Sequence, residues 1–115
     1  MKPVLWISER EPLIPEKEMQ KFLGERKRIW IGIVDSVTEA HKLINHYLPA
    51  FVVSEVPVST YVMWLALTWW DIPLLIPFVE MEWRDEEGKP PRFKLVGFQR
   101  VVDIKWKVED WKVNK

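Results

Sequence analysis

Three places in the chain set a hydroxyl beside a carboxylate at the end of an apolar run: Ile7-Ser8-Glu9, Val34-Asp35-Ser36 and Val53-Ser54-Glu55. If the runs are neighbouring parallel strands, these ends share one rim of a sheet. Glu9, Asp35 and Glu55 together could then hold a divalent cation through oxygen ligands, as hard metals require. The same acids and hydroxyls also suit the caps of the helices they precede, where they complement the helix dipole without any metal. A divalent ion is therefore the one cofactor the residues leave open.

Other chemistries find less in this sequence. His41 and His46 fall on one expected helix about 140° apart, so they cannot chelate one ion from it. The glycines, Gly24, Gly32, Gly88 and Gly97, do not lie between a strand and its following helix, so there is no phosphate-cradling loop of the dinucleotide type. There is no nucleophile elbow and no Ser/His/Asp order. Cysteine is absent, which removes thiolate catalysis, thiolate metal sites and disulfides and makes a cytoplasmic setting the expectation. The 17 basic and 17 acidic side chains cancel, against any general attraction to nucleic acid or anionic membranes. The basic cluster at residues 25–28 reads as a solvated turn on the rim opposite the acids. Trp30, Trp64 and Trp69 lie in apolar runs and read as core, not as base-stacking platforms. A charged fraction of 30% with very few amides is the composition of a heat-adapted protein.

The elements that must position the rim can be read in order. Residues 3–7 (PVLWI) form a first strand. Pro15, Glu16 and Glu18 open a two-turn helix with Met19, Phe22 and Leu23 on its apolar stripe, and Gly24 ends it. Residues 29–34 (IWIGIV) read as a second strand covered on both faces. Ser36 with Glu39 is a capping box for a helix that sets Val37, Ala40, Leu43, Ile44, Tyr47 and Leu48 on one side, with Thr38, Lys42, Asn45 and His46 opposite, and stops at Pro49. A third strand at residues 50–53 breaks at Ser54-Glu55-Val56-Pro57 and restarts as a helix over residues 59–70 that is apolar all round. That helix, with a fourth strand from residue 73, fits a buried pair better than a membrane span, because Asp71, Pro73 and Pro77 interrupt the run. Beyond Pro77 the pattern alternates, with Val79, Met81 and Trp83 opposite Glu80, Glu82 and Arg84. Residues 92–109 read as a long returning strand with a bulge near Gly97. The expectation is one domain over residues 1–115, a small three-layer Rossmann-like α/β domain with a mainly parallel sheet and a C-terminal antiparallel hairpin. Because the third helix has no polar face to show to water, a homodimer burying part of it, or the Trp83/Trp106 surface, is expected.

This order of features resembles the small CARF-like ring-nuclease proteins of CRISPR systems, which bind and cleave cyclic oligoadenylate. The features are a first strand ending in a serine-containing polar turn, a strand breaking into Ser59-Thr60-Tyr61 at the head of an apolar helix, and a charged hairpin returning as Lys94-Leu95-Val96-Gly97-Phe98-Gln99-Arg100. The resemblance spans residues 51–104 and, more faintly, 4–9. It implies a small nucleotide ligand whose phosphates are bound by Ser8, Ser54, Ser59 and Thr60 at helix amino ends, with Arg10 or Arg100 neutralising charge. Glu9 and Glu55 stand at the same rim, where carboxylates repel phosphate unless a metal or an arginine intervenes, and Val56-Pro57 replaces the small glycine usual in the third loop. Two functions follow as expectations: a nucleotide sensor or ring nuclease, and a non-catalytic dimeric interaction protein that keeps the fold without the pocket.

Overall fold

The computed structural model describes residues 1–83, 88–105 and 109–110. Within them the element order is β1 (Val4–Ile7), α1 (Glu16–Leu23), β2 (Arg28–Ile31), α2 (Val37–Tyr47), β3 (Phe51–Ser54), α3 (Pro57–Leu67), β4 (Leu74–Glu82) and β5 (Arg92–Arg100). The strands form one sheet in the order β2-β1-β3-β4-β5. β1 pairs in parallel with both β2 and β3, β3 pairs in parallel with β4, and β4 pairs antiparallel with β5.

That order dictates where the helices go. The step from β1 to β2 moves one way along the sheet, and the step from β2 to β3 moves back over β1, so right-handed crossovers send α1 and α2 to opposite faces. The step from β3 to β4 continues in the second direction, which places α3 beside α2. The buried side chains sort accordingly. Leu5, Ile7, Val34 and Val52 pack with Ala40 and Ile44 of α2 and Met63 and Ala66 of α3. Val4 and Trp6 of β1 and Val53 of β3, the alternate residues of those strands, pack with Leu75 of β4 and Met19 of α1.

Local chemistry sets most boundaries. Gly24 caps α1 at φ 86, a left-handed value that other residues adopt at a cost. Ser36 accepts the Glu39 amide at 3.1 Å, the expected N-cap of α2. α2 ends with Leu48 at φ 46, ahead of Pro49.

Several expectations are corrected. β2 stops at Ile31, not Val34, because its partner β1 stops at Ile7 and the ladder closes with Ser8 N–H donating to the Ile31 carbonyl at 3.0 Å. It is an edge strand with Trp30 half exposed, not one covered on both faces. α3 begins at Pro57, two residues before the expected start, since proline fixes the φ of a first helical turn and its missing N–H costs nothing there. It ends at Leu67, so Trp69 projects into solvent at 87% exposure and is not core. Tyr61 and Trp64 of α3 pack against its cluster with Val101, so this apolar helix finds much of its cover within the chain.

β5 ends at Arg100, short of the expected 109. Val101 N–H still donates to the Leu74 carbonyl at 2.8 Å, but β4 begins there and offers no further partner. The bulge expected near Gly97 is present: Phe78 faces Gly97 and Val79 faces Leu95, leaving Val96 as the extra residue. Arg84 and Trp106 lie outside the described residues. Among those described, no helix is long and apolar enough to cross a membrane.

Candidate functional site

The carboxyl ends of β1 and β3 sit side by side, Ile7 level with Ser54, and the Glu55 amide donates to the Ile7 carbonyl at 2.9 Å. From here the chain leaves β1 toward α1 on one face and leaves β3 toward α3 on the other. Such a parting of crossovers opens a crevice, and in open α/β sheets ligands bind there. A cavity of about 350 Å3 occupies it, lined by Ser8, Glu9, Arg10 and Glu11 from the first loop and by Glu55 and Pro57 from the third.

Glu55 is fixed from beneath. The Trp6 indole, wholly buried, donates its N–H to Glu55 Oε2 at 2.7 Å. The Arg28 guanidinium lies 5.1 Å from the centre of the Trp6 ring, a cation–π distance, and donates to the Ile14 carbonyl. Burial lowers the pKa of Arg28 from its ordinary value, opposed by the charges of Glu16 and Glu55. A carboxylate, an indole and a half-buried cation thus form one column under the rim. Trp30, next to Trp6 in the sheet register, donates its own N–H to the Ser8 carbonyl at 2.9 Å and anchors the start of the first loop. The Ser8 hydroxyl turns back onto the Arg10 carbonyl and tightens the same loop.

The expected site residues divide. Ser8, Glu9, Arg10 and Glu55 come together around the crevice. Ser54, Glu55 and Thr60 line a neighbouring cavity on the other side of the Glu55 turn. Ser54 and Thr60 hydroxyls lie 3.0 Å apart, and the Thr60 hydroxyl is 2.9 Å from the Val56 carbonyl, so these two side chains are engaged in building the turn. Ser59 is wholly buried inside α3, where its Oγ accepts the Val34 amide at 2.8 Å. Arg100 is not brought to this rim: it pairs with Leu75 near the start of β4 and lines a separate cavity with Trp64, Thr68 and Asp71. Asp35 does not line the crevice either, and among the described residues no group of three His, Cys, Asp or Glu stands close enough to hold a metal ion.

Sequence reasoning missed Trp6, Trp30 and Arg28 as the supports of the rim. Trp30 and Trp6 sit in runs whose apolar neighbours suggest plain core, and Arg28 lies in the basic cluster that reads as a turn. Its neighbour Arg26 does serve the opposite rim, donating to the Leu23 and Lys2 carbonyls at 3.0 Å and lying 5.5 Å from the Phe51 ring centre.

Compared with known proteins, the chain matches no family model, and no curated protein or solved structure is significantly similar to it.

Proposed function

We propose that the protein is a nucleotide-binding domain of the Rossmann-like, CARF-like kind, a cyclic oligoadenylate sensor or ring nuclease that takes its ligand in the crevice between β1 and β3. The observation that carries this reading is the coincidence of a cavity with the point where the crossovers part to opposite faces. The resemblance of residues 51–104 to the ring-nuclease proteins supports the nucleotide class. Glu9, Glu11 and Glu55 oppose phosphate there with Arg10 on the other side of the balance, so a divalent cation is expected to strengthen the binding of any phosphate-bearing ligand. The test is calorimetric titration of cyclic oligoadenylates with and without magnesium, on the wild type and on Glu55→Gln. Heat that grows with magnesium supports the reading, and loss of cleavage products in Glu55→Gln with binding retained assigns that acid to the chemistry. No heat under any condition retires it.

A second reading, a homodimeric interaction protein, is favoured by one observation. Met81, on the apolar side of the β4–β5 ribbon, and Trp83, the residue just past β4, are exposed, Trp83 to 75%.

A further inference from the structure

Resting on the reading of this rim as a nucleotide site, we propose that recognition there runs through the nucleoside and not through phosphate, with the base seated in the second cavity, across the Glu55 turn. That cavity, about 320 Å3, is lined by Pro57, Tyr61, Ile76 and Ile104 together with Ser54, Glu55 and Thr60. It shares Glu55 and Pro57 with the crevice, so one ligand straddling the turn touches both. Each cavity alone is at the small end of ligand sites, which run from about 300 to 1,000 Å3, and the two together fall well inside that range.

The halves differ in chemistry. The crevice presents Glu9, Glu11 and Glu55, which outnumber the Arg10 beside them, and ionised carboxylates accept hydrogen bonds but donate none. They match the hydroxyls of a ribose, as acids in nucleotide sites do, and they repel a phosphate. Glu55 is held in place by the Trp6 N–H at 2.7 Å, and a carboxylate has lone pairs left to receive further donors. The second cavity offers two isoleucines, a proline and an aromatic ring, flat apolar walls suited to the faces of a planar base. Its hydroxyls, Ser54 and Thr60, are engaged with one another and with Val56, which leaves the walls apolar in effect.

The test is calorimetric titration of the full chain with adenosine, 2′-deoxyadenosine and AMP, in magnesium-free buffer, on the wild type, Glu55→Gln and Ile104→Ala. Far-UV circular dichroism and thermal melts accompany each variant to establish folding. Adenosine is expected to bind at least as well as AMP. The deoxynucleoside is expected to bind about tenfold or more weaker, the loss of a hydrogen bond to a charged acceptor. Ile104→Ala, remote from the crevice, is expected to weaken adenosine by about tenfold through lost apolar contact. AMP binding far tighter than adenosine, or an unchanged affinity in folded Ile104→Ala, overturns the nucleoside assignment and leaves the nucleotide-site reading standing. Absence of heat with all three probes in this buffer overturns the assignment, and the magnesium titration of oligoadenylates then decides the broader reading separately.

Discussion

Glu55 is the residue on which the candidate site turns, and its environment is built by two side chains that look structural. Trp6 is fully buried, so its N–H needs an acceptor, and Glu55 supplies it at 2.7 Å. Glu55→Ala orphans that donor and is expected to cost about 1–3 kcal/mol, read as a lowered urea midpoint at constant m-value. Glu55→Gln keeps an acceptor and should cost about 1 kcal/mol or less, which makes it the cleaner probe of binding. If both variants melt alike, the Trp6 bond does not set the cost. Arg28 adds no pH dependence in the ordinary range. Folding makes its charged form less favourable than in the unfolded chain, a cost present wherever arginine is protonated and lifted only as pH rises past the lowered folded value, in strongly alkaline solution. Glu9 and Glu55 stand out in the sequence because strand-end carboxylates follow short apolar runs; Glu11, two residues further into the loop, carries no such mark, and Asp35, which does, does not line the crevice. The support from Trp6 and Arg28 was not legible there, because it depends on which faces of β1 and β2 share a side, and that is fixed by register.

At the scale of elements, a two-residue shift in the start of α3 changes the meaning of Ser59. With Ser59 heading the helix, its hydroxyl would face a ligand; with Pro57 in the first turn, it lies inside, accepting the Val34 amide at 2.8 Å. That bond ties the chain after β2 to α3 and explains why Val34 is buried beyond the end of its strand. Ser59→Ala is expected to destabilise by about 1–3 kcal/mol, the cost of a buried amide left unsatisfied, and to leave ligand affinity unchanged. A full-strength fold with lost binding in Ser59→Ala would instead return Ser59 to the ligand. The capping serine of α2 is a milder case: Ser36→Ala should cost about 1 kcal/mol. The α2 cap was readable because Ser36 and Glu39 carry a local signal. The α3 start was ambiguous because Ser54, Pro57, Ser59 and Thr60 all favour helix starts, and the sheet register chose among them.

At the scale of the whole molecule, the β4–β5 ribbon carries exposed apolar side chains. Past the bulge, Val79 faces Leu95 and Met81 faces Phe93, while Glu80 faces Lys94 and Glu82 faces Arg92. Alternation along a strand puts these pairs on opposite sides, so the ribbon carries an apolar face backed by a charged one. Leu95 is buried, but Met81 is 46% exposed and Trp83 more so. The dimer expected from the sequence buries part of α3 or the Trp83/Trp106 surface; with Tyr61 and Trp64 partly buried against the chain's own core, the ribbon becomes the stronger candidate surface. Its apolar face alone is small against the roughly 1,200 Å2 a stable interface buries, so a weak, concentration-dependent dimer is the expectation. Sedimentation velocity across a wide concentration range should show a monomer–dimer shift that Trp83→Glu abolishes without lowering the melting temperature. The charge does this by placing a carboxylate where the partner must exclude water. Wild-type chains that stay monomeric at the highest concentration, or a Trp83→Glu protein that still dimerises, would remove the ribbon from the interface and with it the observation favouring an interaction role.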